Sequence, residues 1–326
     1  MEMKISVYLG IFGTYPNRHT PDGFHDAPED PERELEVLSR IEGLRGVNFI
    51  YPNPSVASDP DTLVRKCANH NLRVANIFAE NWAHRKWKHG AFSTGEEAVR
   101  RENIRLCKET IDFAAEIPGA KVELWPAYDG FDYFFEVDYR AGWKRMTDSL
   151  REIVEYNPRV ELCLEYKQKD PRQKSYVSNV GKAMMLFHDV GAENLGAALD
   201  TGHALLSQEN LAESALLLYT HGRLGTIHLN DNYRDADPDL IIGTVAFWDL
   251  LELYYFLNKT DYAGWNEIDV VSPRHDRVET LKLAVKMIRD IKSLADRLTE
   301  HSDDIDANMA EYRFTDNMKL IMDILF

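Results

Sequence analysis

Short runs of apolar and β-branched residues alternate with longer amphipathic stretches along this chain. The short runs have the length and composition of buried strands; they are Ile5–Phe12, Gly46–Tyr51, Arg73–Phe78, Lys121–Trp125, Val160–Tyr166, Leu195–Leu199, Gly225–Leu229 and Glu267–Val271. Helical spacing occupies most of the intervals, as at Pro31–Glu42, Glu96–Ala115, Arg140–Glu155, Val177–Val190 and Asn210–His221. This repeated alternation predicts an α/β fold whose parallel strands close into a TIM (β/α)8 barrel.

Two further features bear on this architecture. An open, doubly wound sheet is the alternative, but no Gly-rich phosphate loop follows the first strand. The amphipathic tail Asp303–Phe326 predicts a C-terminal helical arm, so we expect a barrel over residues 1–300 and an arm over 301–326. The loop Tyr15–Asp30, rich in Pro, Asp and His, follows the first strand and is expected at the active end.

Composition narrows the class of protein. The 326 residues carry a formal net charge of −16, which argues against a nucleic-acid partner because phosphate binding needs a basic surface. Cys67, Cys107 and Cys163 are too scattered for a disulfide framework and favour a reduced, cytoplasmic compartment. Met1–Gly13 alternates like a strand rather than a signal peptide, and no apolar run has the length of a membrane span.

Polar residues stand at the predicted carboxyl ends of strands five and six, where barrel enzymes carry their active sites. Glu165 and Lys167 lie two apart and share a strand face. By itself a Glu-x-Lys pair is commonly a surface ion pair. Asp200 and His203 follow strand six and could bind one or two metal ions, although an isolated Asp here could equally cap a helix.

Strands seven and eight add more such groups. His228 lies in strand seven, Glu267 and Asp269 share a face of strand eight, and Asp237 and Asp239 form an acidic turn after strand seven. Each has an ordinary explanation, a hydrogen-bonded core histidine or a solvated turn. Together, carboxylates and imidazoles converging on one barrel mouth would repel one another unless a cation held them. Oxygen and nitrogen ligands without thiolate suit Mn, Mg, Co or Zn.

These segments resemble the xylose isomerase family, and the likeness runs from about Val47 to Arg274. The family's Glu-Pro-Lys-Pro-Asn-Glu-Pro-Arg, Glu-x-x-His and Asp-x-Asp-Leu-x-x-Gly segments are matched by Glu165-x-Lys167-x-x-x-Pro171-Arg172, Asp200-x-x-His203 and Asp237-x-Asp239-Leu240-x-x-Gly243. Asp269, followed by Pro273-Arg274, falls where the family keeps its last strand-eight aspartate.

The upstream half resembles the family too. Asn76-Ile77-Phe78 and Trp87-Lys88-x-Gly90-x-Phe92 resemble the strand-three segment that gives the sugar pocket an aromatic wall, and Trp125-x-x-x-Asp129-Gly130 resembles Trp-Gly-Gly-Arg-Glu-Gly. The resemblance implies that Trp87 and Trp125 line the sugar. The alternative is that both tryptophans belong to the core.

The resemblance also implies a mechanism with two divalent cations. One would be held by Glu165, Asp200, His228 and Asp269, and the other by Asp200, His203, Asp237 and Asp239. Lys167 would stabilise negative charge on the carbonyl oxygen, Asp237 would be the other catalytic residue, and His203 would also lie beside the sugar. Hydrogen would pass between C1 and C2 as hydride or through an enediol. Relatives are commonly dimers or tetramers, so the resemblance implies a homo-oligomer.

The sequence departs from the family at positions that bear on specificity. Asp200 replaces a bridging Glu and His228 replaces an Asp, and this substituted set resembles L-rhamnose isomerase. Ile50 stands where xylose isomerases carry the ring-opening His, so Tyr51 or His25 would have to replace it. The sequence therefore predicts the reaction type and leaves the sugar open.

The predicted function is a metal-dependent aldose–ketose isomerase acting on a small sugar. A single-metal sugar 3-epimerase is the main alternative, with Glu165 and a strand-eight carboxylate such as Glu267 exchanging protons. A metal-binding protein without turnover is a third interpretation. An abasic-site endonuclease shares the fold family but would need the basic surface that this chain lacks.

Overall fold

Eight parallel strands close into a barrel in the computed structural model, which describes residues 3–26 and 30–325. Numbered in chain order, they are β1 Lys4–Tyr8, β2 Gly46–Tyr51, β3 Arg73–Ala79, β4 Lys121–Leu124, β5 Leu162–Glu165, β6 Leu195–Asp200, β7 Leu224–Leu229 and β8 Trp265–Ile268. Each strand pairs with its neighbours in sequence, and β1 closes the barrel by pairing with β8, Lys4 opposite Trp265. The predicted TIM barrel is confirmed.

Helices lie between successive strands and cover the barrel. They are α1 Pro31–Ser39, α2 Pro60–Asn69, α3 Glu97–Ala115, α4 Tyr139–Val154, α5 Val180–Val190, α6 Thr201–Leu206, α7 Leu211–Thr220, α8 Phe247–Leu257 and α9 Arg277–Thr299. Their starts follow capping chemistry, since Asp59 and Asp138 each accept a backbone N–H from the first turn of their helix. Asp200 does the same for α6, which places a strand-end carboxylate against a helix N-terminus.

Two helices follow the barrel, α10 Ser302–Ala310 and α11 Phe314–Leu325. They confirm the predicted C-terminal helical extension, and Ile305 anchors it as a buried residue. Tyr255 of α8 donates a hydrogen bond to Asp306 over 2.9 Å, which ties the extension to the barrel helices. The last predicted residue of this arm, Phe326, lies outside the described residues, as do residues 27–29 of the loop predicted over Tyr15–Asp30.

The first and last strands of the barrel end earlier than the sequence predicted. The first strand stops at Tyr8 rather than Phe12 because Gly10 turns the chain with φ of +113°. The last strand stops at Ile268, so Asp269 is the first residue beyond it. All three cysteines are buried free thiols. Among the described residues, none of the helices is long and apolar enough to cross a membrane.

Candidate metal centre

Four side chains meet at the carboxyl ends of β5 to β8. Glu165 is the last residue of β5, Asp200 the last of β6, His228 lies one residue before the end of β7, and Asp269 follows β8. One ligand atom from each lies within 4.8 Å of the others, and these are the four residues predicted to hold the first cation. Strand register explains their convergence, since Asp200 pairs directly with His228 across β6 and β7.

Neighbouring groups position Asp200 and His228 within this four-residue group. Asp200 accepts the backbone N–H of His203 over 2.8 Å and the side-chain amide of Asn230 over 2.9 Å. The imidazole of His228 presents Nδ1 to the group, 3.7 Å from Glu165 Oε2 and 4.0 Å from Asp200 Oδ2. A ligand set that is already fixed by hydrogen bonds can bind a cation with little rearrangement.

The electrostatics of the group favour a cation. Burial, followed by the charges of Asp200 and Glu165, raises the pKa of Asp269 to about 7. Burial alone would lower the pKa of His228, but the carboxylates around it, Glu123 first, outweigh that effect and raise it. Burial opposes ionisation of Glu165 as well, but His228 and His203 lower its pKa. Aspartates that resist ionisation beside an imidazole that gains a proton mark a site short of positive charge. The donor set therefore fits a divalent cation with oxygen and nitrogen ligands.

The residues predicted for a second cation are arranged differently. His203 Nε2 lies 3.1 Å from Asp237 Oδ2, and its Nδ1 is 3.0 Å from the carbonyl of Tyr166. A carbonyl and an ionised carboxylate both only accept, so both ring nitrogens of His203 carry hydrogens. Burial would lower the pKa of His203, but the charges of Asp200 and Asp237 outweigh it and raise that pKa to about 9. The ammonium of Lys167 is 2.8 Å from the same Asp237 oxygen. In the part of the chain that the structure describes, two groups of residues have ligand atoms within 4.8 Å of one another. The set predicted for the second cation is neither of them.

Asp239 approaches the centre from the acidic turn after β7. The turn is pinned by a bridge between Asp231 and Leu240 and by the N–H of Val271, which donates to the Asp239 carbonyl over 2.9 Å. Burial, then the charge of Asp237, raises the pKa of Asp239 well above its usual range. The structure thus brings Asp237 and Asp239 to the same mouth as the four-residue group.

A cavity of about 380 Å³ opens directly over these groups. Its polar floor and partly aromatic wall are formed by Tyr8, Tyr15, Ile50, Phe78, Trp82, Trp125, Glu165, Lys167, His203, Asp239, Glu267, Asp269 and Val271. The Lys167 ammonium lies 5.2 Å from the centre of the Trp125 ring, and Trp82 packs edge-on against Trp125. A larger cavity of about 560 Å³ lies away from the four-residue group, around the ion pair of Lys121 and Glu161.

Trp87 does not reach this cavity. Its side chain is completely buried, and of the described residues Trp82 and Trp125 are the tryptophans in the lining. The expectation that Trp87 lines the pocket therefore requires correction, because the short helical turn Arg85–Trp87 directs this ring into the core. Trp82, five residues earlier, occupies the wall instead.

The motifs that begin at Trp87 and at Trp125 pack against each other. Asp129 accepts backbone N–H groups from Ala91, Phe92 and Ser93 over 2.6–3.0 Å. Gly90 has φ of +94°, and a Cβ there would lie 2.5 Å from an Asp129 oxygen, so only glycine lets the segments approach. Packing between the two segments thus explains Gly90 and Asp129, whereas Trp125 of the second motif lines the cavity.

Sequence reasoning missed Glu123. It lies within β4, is completely inaccessible to solvent and faces His228 across the barrel interior, with Oε2 2.7 Å from Nε2. Together with Glu267 these residues form a second group of ligand atoms within 4.8 Å. The sequence did contain a signal, a charged residue between Val122 and Leu124 in a predicted strand. Because side chains alternate along a strand, Glu123 points to the face opposite that of its two apolar neighbours.

Ile50, which stands where the resembled family has its ring-opening His, presents an apolar side chain to the cavity. Ile50 lines the cavity, whereas the Tyr51 ring packs 5.1 Å from Phe113 of helix α3, outside the barrel. His25 lies edge-on to Tyr15 at 6.4 Å, and Tyr15 is itself part of the lining. Of the two residues considered as substitutes, His25 is the one near the pocket.

Comparison with known proteins identifies the family and the fold. The family model described as the xylose isomerase-like TIM barrel matches residues 35–291, well over half of the chain. Xylose isomerase of Thermus thermophilus is 24% identical over 275 residues, covering 79% of this chain and 71% of that protein. The xylose isomerase of Thermus caldophilus matches with the same identity and coverage.

Solved structures show the same fold. An L-ribulose 3-epimerase superposes with a TM-score of 0.72 at 18% identity, covering 92% of this chain and 98% of that one. A 3-keto-D-glucoside 4-epimerase from E. coli gives 0.69 at 15% identity, covering 88% and 99%. A D-allulose 3-epimerase from Methylomonas sp. gives 0.65 at 14% identity, covering 89% and 97%.

Proposed function

Because the chain belongs to the xylose isomerase-like TIM barrel family, we propose that it is a divalent-metal-dependent aldose–ketose isomerase. The observation that carries the proposal is the buried Lys167 beside the four-residue ligand group, in one cavity with an aromatic wall. Relatives and structural neighbours named as sugar isomerases and epimerases support the broader class of a sugar-converting enzyme.

The cation would be held by Glu165, Asp200, His228 and Asp269, whose ligand atoms lie within 4.8 Å of one another. When bound, a divalent cation supplies Lewis-acid polarisation of sugar oxygens and holds the open chain in place. Asn230 and the backbone N–H of His203 keep the Asp200 carboxylate in position, and Glu123 contacts the far nitrogen of the His228 imidazole.

Lys167 is the group that we assign to the reacting carbonyl. Its ammonium is nine-tenths buried, held by Asp237, and placed against the face of Trp125. A fixed ammonium in a site with little water stabilises negative charge on a carbonyl oxygen far better than it would in bulk solvent. Asp237 fixes the position of Lys167, and with His203 it forms the polar side of the proposed reaction site.

The reaction conserves all atoms and needs no external oxidant. In the aldose-to-ketose direction the C2–H bond breaks and a C1–H bond forms, while a proton leaves O2 and one arrives at O1. Trp82, Trp125 and Phe78 would exclude water from the carbon atoms between which hydrogen moves. Hydride transfer and an enediol route remain two versions of this proposal.

The charges of the cavity favour a neutral sugar. Among the described residues that line the cavity, Lys167 is the one lysine or arginine. Its ammonium already forms an ion pair with Asp237. Glu165, Asp239, Glu267 and Asp269 supply the acidic side chains of the lining. A phosphate or carboxylate group on the substrate would be repelled, so we propose unphosphorylated aldoses and ketoses as the substrate class.

A second cation, held by Asp200, His203, Asp237 and Asp239, is a further part of the proposal. It would require the Lys167 ammonium to leave the Asp237 oxygen that it now contacts. His203 would also have to release the hydrogen that its Nε2 directs at Asp237 before that nitrogen could bind a cation. Binding stoichiometry, one or two cations per chain, tests this point directly.

A sugar 3-epimerase is the second candidate, and one observation favours it. Glu165 and Glu267 both line the cavity, so two carboxylates could exchange protons with one substrate carbon. Against this assignment, Glu267 is bonded by the amide of Asn48 and lies 3.4 Å from His228 within the barrel. Lys167 and the Asp237 and Asp239 pair would also have no role.

One experiment separates the candidates. The protein is stripped of metal, reconstituted with Mn²⁺ or Co²⁺, and incubated with a panel of neutral aldoses, neutral ketoses and their phosphates. We expect aldose–ketose interconversion of a neutral sugar. Epimerised ketose without any aldose would replace the proposal with the epimerase, and metal binding without conversion of any sugar would reduce it to a binding protein. A homo-oligomeric state and a cytoplasmic location remain predictions.

A further inference from the structure

Three buried side chains form a line beneath the four-residue ligand group, inside the barrel. Asn76 of β3 donates its side-chain amide to Glu123 of β4, and the other Glu123 oxygen lies 2.7 Å from Nε2 of His228. All three are at most 1% exposed. Asn76 and Glu123 are absent from the described lining of the cavity, so neither is placed to touch a substrate.

The amide of Asn76 has a defined orientation. Its oxygen accepts the backbone N–H of Lys121 at 3.3 Å, which leaves the NH₂ group to face Glu123. Glu123 therefore receives a donor on one oxygen and offers the other to His228. An ionised carboxylate has only acceptor positions, so the atom that faces it must supply a hydrogen.

This requirement decides which nitrogen of His228 carries the hydrogen. His228 can bind a cation only after losing its second proton, and the resulting neutral imidazole has one N–H and one lone pair. With Nε2–H donated to Glu123, the lone pair is on Nδ1, which points at Glu165 and Asp200 from 3.7 and 4.0 Å. That is the tautomer in which His228 can bind a cation in the four-residue group.

The opposite arrangement would place a cation below, among Glu123, His228 and Glu267, whose ligand atoms also lie within 4.8 Å. It would use Nε2 as the ligand and turn Nδ1–H toward the upper carboxylates, so one neutral imidazole cannot serve both sites. The lower carboxylates already receive side-chain amides, from Asn76 on Glu123 and from Asn48 on Glu267. In the upper group, Glu165 and Asp269 line the cavity, and the amide of Asn230 is on the third carboxylate, Asp200.

We infer that Glu123 is a positioning residue: its carboxylate selects the Nδ1-binding tautomer of His228, and Asn76 directs that carboxylate. The inference rests on the same cation site as the proposed function and makes no use of the sugar reaction. A carboxylate behind a metal-binding imidazole also strengthens the ligand, and losing such a partner typically lowers metal affinity 10–100-fold.

The decisive variant is Glu123→Gln in the full chain. The new amide would turn its oxygen to the Asn76 donor and its NH₂ to Nε2 of His228, which would then have to accept. The hydrogen would move to Nδ1 and block the ligand atom. We expect Mn²⁺ and Co²⁺ affinity, measured by calorimetry on metal-stripped protein, to fall about 10–100-fold.

Adding Asn76→Asp to that variant supplies the compensating change. The carboxylate at position 76 accepts the new amide NH₂, so the oxygen at position 123 is free to accept Nε2–H again. We expect the double variant to recover most of the lost affinity and the wild-type Co²⁺ absorption spectrum. Thr226→Val is the control for the other bond of this amide, because the buried Thr226 hydroxyl accepts from the Asn76 NH₂ group over 3.5 Å without facing Glu123 or His228; its affinity should equal wild type if the bond to Glu123 alone directs that carboxylate.

A measurement on the unaltered chain guards against variants that fail to fold. The ¹⁵N chemical shifts of His228, assigned by comparison with His228→Asn, report the tautomer in Zn²⁺-loaded protein. Nε2–H with metal-bound Nδ1 is the expected result, and the reverse assignment overturns the inference. So does unchanged affinity in Glu123→Gln, or a loss that Asn76→Asp leaves in place. If the wild type binds metal but converts no sugar, the proposed function fails and this inference stands.

Discussion

The Lys167 ammonium lies 2.8 Å from an Asp237 carboxylate oxygen, and the aspartate side chain is fully shielded from solvent. Burial alone would lower the pKa of Lys167, but the charges of Asp237 and Asp239 outweigh it and raise that pKa. Burial opposes ionisation of Asp237 too, yet His203 and Lys167 together lower its pKa. Both partners are therefore ionised at neutral pH, and the ammonium is held at the cavity wall.

Replacing Lys167 tests its assignment to the carbonyl oxygen. Lys167→Met keeps the length of the side chain and removes the charge, and the four ligands of the first cation stay in place. We expect metal affinity at that group within a few-fold of wild type and a kcat lower by about 10²–10³, the usual cost of one electrostatic donor. Calorimetry with Mn²⁺ and a sugar-conversion assay measure the two quantities.

Lys169→Met is the control for that variant. Lys169 is two residues further along the chain and donates to the carbonyl of Asp235 instead of reaching the cavity lining. Its conversion rate should match wild type. Undiminished kcat in Lys167→Met would remove this lysine from the chemistry.

Metal removal should lower stability, because a ligand that binds only the folded state stabilises it by mass action. At a free metal concentration 100 times Kd, the gain is about 2.7 kcal/mol, which corresponds to about 4 °C in Tm for a chain of 326 residues at an unfolding entropy of about 2.1 cal/mol/K per residue. Chelation should reverse this gain. We expect Asp269→Asn to lose most of the metal-dependent shift, since an amide replaces one anionic ligand.

Asp235→Asn provides the comparison, because Asp235 lies exposed in the acidic turn and outside the ligand groups. Its metal-dependent shift should be that of the wild type. Thermal unfolding with and without Mn²⁺ measures all three proteins. An unreduced shift in Asp269→Asn would mean that the cation binds elsewhere.

Replacing Trp82 should impair sugar binding, whereas replacing Trp87 should impair stability. Trp82 is part of the cavity wall, so Trp82→Ala is expected to raise KM about tenfold through lost contact with the sugar, a loss of about 1.4 kcal/mol. Trp87 is completely buried in the core, so Trp87→Ala is expected to cost about 3–5 kcal/mol of unfolding free energy. Steady-state kinetics and urea unfolding distinguish these effects, and a kinetic defect in folded Trp87→Ala would return that residue to the pocket.

Strand ends were predictable because parallel strands impose a simple geometry. Glu165, Asp200 and His228 lie at the ends of neighbouring strands, so alternation and barrel closure bring them together without knowledge of side-chain rotamers. Asp269 follows from the same rule one strand later. The pattern of apolar and polar residues was therefore enough to predict that these four residues converge.

Other features depend on contacts between distant segments. Glu123 meets His228 across the barrel interior, 105 residues along the chain, and the pattern of β4 alone does not indicate its partner. The Trp87 ring is turned by a short 3₁₀ helix whose direction depends on its packing. Likewise, the motif glycine Gly90 looks like a loop residue until Asp129 is seen against it.

Asp129 gives a pH-dependent prediction away from the ligand groups. It is 1% exposed, and burial raises its pKa despite three backbone N–H donors. An unfolded Asp has a pKa near 3.9, so folding takes up a proton between that value and the higher folded pKa. The stability that the protonated carboxyl contributes is present below about pH 4 and is lost as pH rises through the folded pKa.

Asp129→Asn removes this titration and one acceptor oxygen. The lost acceptor should destabilise the chain by about 1–3 kcal/mol. The difference in unfolding free energy between wild type and variant should be largest near pH 4 and shrink toward neutral pH, by up to about 1.4 kcal/mol per unit of pKa shift. Urea unfolding of metal-stripped protein across this range measures the difference, in which titrations common to both chains cancel. A difference that is constant with pH would show that the Asp129 carboxyl ionises as it does in the unfolded chain, its hydrogen bonds having fully offset the burial.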